Sequence, residues 1–151
     1  MNSKVTVNEN ITLISLHNVS ASMETIADIF EKIGEMDIDV DVISMSPVQS
    51  DLTSLSFTVN DEDTIKLLRF VKTLPGLSTK PIVSSGNYII SVLESSMENQ
   101  PGFASKIFRA LAQVNTDIRI ISTSEVQISM LVTEADFNCA YEAISECVKN
   151  M

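Results

Sequence analysis

The chain has 151 residues, 44% hydrophobic and 20% charged, with 20 acidic against 10 basic side chains and a net charge of −10. This length suits one ordinary domain or two small ones. The acidity argues against nucleic acid and anionic membranes, which bind Lys and Arg by counterion displacement, and the lack of Trp removes most base-stacking platforms.

The chain opens on "SKVTV", a strand-like segment whose partner is not apparent in its neighbourhood. No apolar stretch of spanning length and no basic start before an apolar run is present. Neither a membrane span nor an export signal is therefore expected, and the cytoplasm is the expected location. "ITLISLH" follows, rich in β-branched residues and read as a strand. Ile26, Ile29, Phe30 and Ile33 then recur at helical spacing.

Alternation takes over with Ile38, Val40 and Val42, and after the turn "PVQSDL" with Leu55, Phe57 and Val59, which predicts two strands of a hairpin. Ile65, Leu68 and Val71 mark a second helix. "LPGLSTKPIVSS" turns out of it into a short strand near residues 80–84.

"NYIISVLE" begins the same series again. Pro101-Gly102 suits the first turn of a helix whose core face is Ala104, Ile107, Phe108 and Leu111. Ile118 and Ile120 share a face with Val126, Ile128, Met130 and Val132, while Arg119, Gln127 and Ser129 point the other way. Between these strands, Ser122-Thr123-Ser124-Glu125 reads as the corner of a hairpin, its hydroxyls satisfying backbone groups. The last helix carries Phe137, Ala140, Tyr141, Ile144 and Val148 and runs almost to Met151. Its two cysteines, Cys139 and Cys147, would lie ~12 Å apart along the helix, too far for a disulfide, and read as small buried apolar residues. One His and two such cysteines make no usual zinc site.

The two series are one pattern used twice. A fixed slide brings Ile29-Phe30 onto Ile107-Phe108, Asp39 onto Asp117, Val42-Ile43-Ser44 onto Ile120-Ile121-Ser122 and Ser46 onto Ser124. A slightly shorter slide then brings Ser56 onto Ser129, Val59 onto Val132 and Asp63 onto Asp136, placing the length change in "PVQSDL". Length changes confined to a turn are what duplication of a domain predicts.

The expected class is α+β: two ferredoxin-like βαββαβ domains, each an antiparallel four-stranded sheet with two helices on one face. The second half lacks residues for a fourth strand, and "SKVTV" is expected to supply it. The expected boundaries are 8–84 for the first domain and 85–151 for the second, completed by strand 1–7.

"IFRALAQVNTDIRIISTSEVQISMLVTEADFNCAYEAI" resembles the second ACT domain in the regulatory tail of aspartate kinases. "MENQPGFASKIFRAL" resembles that family's Met-containing loop with Pro-Gly, and "IFEKIGEMDIDVDVISMSP" through "SLSFTVNDED" resembles the first ACT domain. The resemblance covers nearly the whole chain. It implies a homodimer paired through ACT sheets and a free amino acid, lysine or threonine, as effector at ACT–ACT interfaces. An aspartate kinase catalytic subunit is a further partner that the resemblance makes possible, and no cofactor or metal is expected. The first half departs from the family in lacking its Asp-x-Pro-Gly loop, with His17-Asn18-Val19-Ser20-Ala21-Ser22 in that place, and in having Met45 where Gln is common.

A zwitterionic effector needs donors for its carboxylate and acceptors for its ammonium. The loop ahead of the first helix of each half offers backbone N–H groups at a helix N-terminus. The candidate effector-binding residues are Asn18, Val19, Ser20 and Ala21 in the first half, with Val40 and Asp41 on its next strand. In the second half they are Met97, Gln100, Pro101, Gly102 and Phe103, then Ile118 and the hairpin residues Ser124 and Glu125. Arg119 lies where the first half has Asp41, so the two sites are not expected to be equivalent.

No catalytic residue is expected. The four glycines, Gly34, Gly76, Gly86 and Gly102, form no phosphate loop, and His17 lies in the other half from Ser122 and Ser124. The leading expectation is an amino-acid-binding regulatory module giving feedback control of aspartate kinase. The alternative is a stand-alone ACT amino-acid sensor or dimerisation protein for another partner.

Overall fold

The computed structural model describes residues 3–75 and 80–151. The start of the expected N-terminal strand (1–2) and part of the turn "LPGLSTKPIVSS" (76–79, including Gly76) lie outside the described residues. Among those described, six strands and four helices follow the order β1 (Lys4–Ser20), α1 (Met23–Glu35), β2 (Ile43–Met45), β3 (Leu52–Asn60), α2 (Thr64–Val71), β4 (Ile82–Leu93), α3 (Phe103–Gln113), β5 (Ile118–Thr123), β6 (Gln127–Val132) and α4 (Glu134–Lys149). Strands β1 and β3, β2 and β3, β4 and β6, and β5 and β6 pair antiparallel. No helix among the described residues is long and apolar enough to cross a membrane.

The chain divides into two compact units, Asn10–Ser85 and the pair Met1–Glu9 with Gly86–Met151. Both divisions fall inside a continuous strand, β1 and β4. Each bears a positive φ at the divide, Asn10 at 58° and Gly86 at 73°, which lets the strand turn without ending.

In the unit of Asn10–Ser85 the strand order is β2-β3-β1, with Ile14 opposite Phe57 and Ser44 opposite Ser56. Period-2 alternation puts Ile14, Leu16, Leu55, Phe57 and Val59 under the helices, where they meet Ile29 and Ile33 of α1 and Leu67 and Val71 of α2. Phe30 meets Phe57 edge-on, ring centroids 5.4 Å apart. The β2–β3 turn is tight: Gln49 and Leu52 exchange backbone hydrogen bonds of 2.9 Å, and Ser50 and Asp51 both have positive φ. Thr12, wholly buried, shares its hydroxyl with Asp61, Thr64 and Ser85 at 2.7–2.9 Å.

In the other unit the order is β4-β6-β5, with Ile90 opposite Met130 and Ser122 opposite Ser129. Its core joins Ile90, Val92, Phe103, Ile107, Leu111, Ile128, Met130 and Ile144, with Val5 packed against it. The central strand β6 is buried on both faces, since Leu131 is as covered as Met130.

Several apolar assignments differ from the expectation; Phe108 of α3 and Tyr141 of α4, expected on core faces, are exposed. Ile65 is exposed and Leu67 buried, because packing rotates α2 by part of a turn from the expected face. Cys139 is exposed and Cys147 half-buried, so neither is a plain core residue, and both are free thiols. Residues Ile38–Val42 lie outside β2. Ile38 still reaches the core, and the backbone of 41–42 is held to Thr58 through Asp41 N–H to its carbonyl (3.2 Å) and Val42 N–H to its hydroxyl (3.0 Å).

Candidate functional site

The two loops that lead into α1 and α3 differ in whether their backbone donors are already taken. Ser22 caps α1, its hydroxyl accepting from Thr25 N–H at 3.4 Å. Just before it, Ala21 N–H donates to the Asp51 carbonyl at 3.0 Å and Ser22 N–H to the Ser20 hydroxyl at 3.3 Å. The extra length of the β2–β3 turn therefore covers the first loop with its own carbonyl. Donors used in this way are not available to a carboxylate.

The α3 terminus is different. Its N-cap is Gly102 at φ 92°, and no side chain caps it. A Cβ at Gly102 would come no nearer than 3.6 Å to the Ser105 hydroxyl, so the requirement for glycine is conformational rather than steric. The preceding loop is wound in a short 3-10 turn, Ser95–Asn99, with Met97 N–H bonded to the Glu94 carbonyl and Gln100 N–H to that of Met97, both at 3.1 Å. Met97 and Ile118 are half-buried against the core that contains Phe103, while Gln100, Pro101 and Gly102 are exposed. Phe103 N–H donates to the Gln100 carbonyl at 3.4 Å; a helix N-terminus without a side-chain cap carries partial positive charge and suits an anionic oxygen.

The hairpin corner closes through Ser124 N–H to the Gln127 carbonyl at 2.8 Å, and the Ser124 hydroxyl accepts from Val126 N–H at 3.4 Å. Glu125 is exposed beside it. One residue further, the Val126 carbonyl accepts from Glu94 N–H at 2.8 Å, joining the hairpin to the start of the loop. Met97, Gln100, Pro101, Gly102, Phe103 and Ile118 thus lie in the same unit as Ser124 and Glu125, with Phe103, Met97 and Ile118 on its core.

The first half is less coherent. Asn18, at φ 56°, with Val19 and Ser20, lines a cleft of about 290 Å³ together with Thr25, Asp28 and Ile29 of α1 and with Leu52, Leu74 and Pro75. Val40 and Asp41 do not line it. Val40 packs on the core and Asp41 is exposed. Arg119, at the place of Asp41 in the other half, pairs with its own neighbour Asp117 at 2.8 Å. The sequence reading did not single out Asp28 or Glu94. Asp28 sits on the outer side of a helix whose partners are set by the end of α2. Glu94 carries no local sign, since its partners Ser3 and Ser96 meet it only in the folded chain.

Glu94 is 2% exposed, and hydrogen bonds from Ser3, then from Ser96, hold its carboxyl below the usual carboxylate range despite the opposing effect of burial. A wider groove of about 800 Å³ between α3 and α4, lined by Lys106, Arg109, Glu142 and Glu146 among others, contains none of the expected residues. Among the described residues no three His, Cys, Asp or Glu side chains gather as a metal site.

Residues 90–148 match the ACT domain family. Over 142 residues the chain is 30% identical to Aspartokinase 2 of Bacillus subtilis, covering 91% of this chain and 34% of that protein. It therefore spans about a third of the length of the curated relatives it matches. Its fold superposes on the regulatory subunit of aspartate kinase from Thermus thermophilus with a TM-score of 0.84 and 22% identity, covering 95% of each chain. It also superposes on E. coli aspartokinase III in complex with lysine and aspartate, with a TM-score of 0.68 and 21% identity, covering 97% of this chain and 32% of that one.

Proposed function

We propose that these 151 residues are an amino-acid-binding regulatory module, since residues 90–148 match the ACT domain family and the chain is similar to aspartokinases along nearly its whole length. The module gives allosteric feedback control of aspartate kinase in the cytoplasm. The observation that carries this reading is the 30% identity to Aspartokinase 2 over 91% of the chain. The module has no catalysis of its own; kinase activity belongs to a catalytic partner or segment.

In this reading the chain is two ferredoxin-like ACT units, 8–84 and 85–151, the second completed by strand 1–7. Support comes from the grouping of Met1–Glu9 with Gly86–Met151 and from the packing of Val5 on that unit's core. Two chains pair through their sheet edges.

The effector is lysine or threonine, and the second unit's loop is its better seat. The N-terminus of α3, which no side chain caps, receives the carboxylate, and Gly102 keeps the approach open. Ser124 and Glu125 supply oxygen acceptors for the ammonium. The first unit's loop, already bonded to Asp51 and Ser22, offers fewer donors. A few contacts of ~0.5–1.5 kcal/mol each give micromolar to millimolar binding, the range of a metabolite sensor.

The deciding experiment is a thermal-shift screen of the twenty amino acids followed by calorimetry with lysine and threonine. Stabilisation by at least one, at a stoichiometry of one or two per chain, is expected. Silence toward all twenty overturns the effector reading.

A further inference from the structure

Glu94 holds together three segments of the second unit. Its N–H reaches the hairpin at Val126, as described above. Its Oε1 accepts from the Ser96 N–H at 3.1 Å and from the Ser96 hydroxyl at 2.7 Å, both in the loop that leads to Gly102. Its Oε2 accepts from the hydroxyl of Ser3, one residue before β1. No Lys or Arg forms an ion pair with it among the described residues. A buried carboxylate held by neutral donors makes strong, directional hydrogen bonds, and loss of any one leaves a buried oxygen short of a partner.

We propose that Glu94 is the positioning residue of the second unit's ligand loop, and that it couples the state of this loop to the anchoring of the first strand. This rests on the effector reading above for the identity of the loop's ligand. Filling the loop tightens the 95–102 segment on its Glu94 end. The same carboxylate then holds Ser3 more firmly, so a binding event near Gly102 is felt at residues 4–9. Any chain attached ahead of Ser3 receives the signal there. Neither side chain touches the bound amino acid. Glu94 acts through the loop backbone, and Ser3 acts only on the strand.

Calorimetry and hydrogen exchange on the full chain, with lysine and threonine as probes, separate the steps. In wild type, the amino acid that binds is expected to slow exchange in residues 4–9 as well as in 95–103. Glu94→Gln is expected to weaken binding about tenfold, the scale of one charge-assisted hydrogen bond, and to abolish the response at 4–9. Ser3→Ala is expected to keep the affinity within about threefold, since it leaves the loop-side bonds intact, while losing the response at 4–9. Wild type that binds without a response at 4–9, or variants that retain it, overturns the proposal. If wild type binds neither amino acid, the effector reading fails and the clasp is judged without ligand. Glu94→Gln is then expected to raise exchange at 4–9 about tenfold with the global unfolding midpoint measured alongside. Equal rates in that comparison overturn it.

Discussion

At the residue scale, a few positions carry consequences out of proportion to their size. Gly102 is one, since φ 92° is strained for any other residue. Gly102→Ala is expected to cost about 1 kcal/mol in urea unfolding and to weaken amino-acid binding as well. Phe57, wholly buried and in edge contact with Phe30, is the opposite case: Phe57→Ala is expected to cost ~3–5 kcal/mol with no specific effect on the ligand loop. Glu94 adds a dependence on pH. Its folded pKa lies below the ordinary value of 4.5, so its stabilisation is fully present above about 4.5 and is lost as pH falls through the folded value. Urea titrations of wild type and Glu94→Gln should therefore differ most at neutral pH and converge on acidification below that point.

At the scale of elements, the two helix starts test the contrast between a closed and an open loop. Ser22→Ala removes the α1 cap and is expected to cost about 1 kcal/mol. The β2–β3 turn has positive φ at both central residues, so Asp51→Gly is expected to stabilise the protein by up to about 1 kcal/mol, relief of left-handed strain outweighing the added freedom of the unfolded chain. Chemical denaturation measures both. The elements themselves were legible in the sequence, because period-2 and helical spacings repeat in the two halves and each half corroborates the other. What was not legible is instructive. Leu67 and Leu68 are adjacent, so the spacing of Ile65, Leu68 and Val71 did not fix which side of α2 faces inward, and packing chose Leu67. Donor occupancy was hidden as well: that Asp51 covers Ala21 depends on how a turn thirty or so residues away folds back. The candidate loop around Gly102 was visible from its Pro-Gly and Met, but Glu94 beneath it was not, since its partners Ser3 and Ser96 meet only after folding.

At the scale of the whole molecule, the edge strands bear on assembly. Ile43 and Met45 on β2 are about half exposed, at 55% and 47%, and Ile121 on β5 is 45% exposed. Exposed apolar residues on open edges favour pairing with another strand. Light scattering is expected to give twice the 16.6 kDa chain mass, and Ile43→Lys with Ile121→Lys to shift the population toward the single chain. A monomeric wild type would exclude sheet-edge pairing. The grouping of Met1–Glu9 with Gly86–Met151 has a last consequence, one of timing. On the ribosome, residues 1–9 are made before residues 10–85, yet the body they join is completed only after that stretch. The central stretch can acquire its shape as it leaves the exit tunnel, while the leading segment must wait, unsheltered, for the remaining two-fifths of the chain to be made. A pause or truncation late in synthesis would therefore leave the strand segment at residues 4–9 without its partner, a natural target for chaperones.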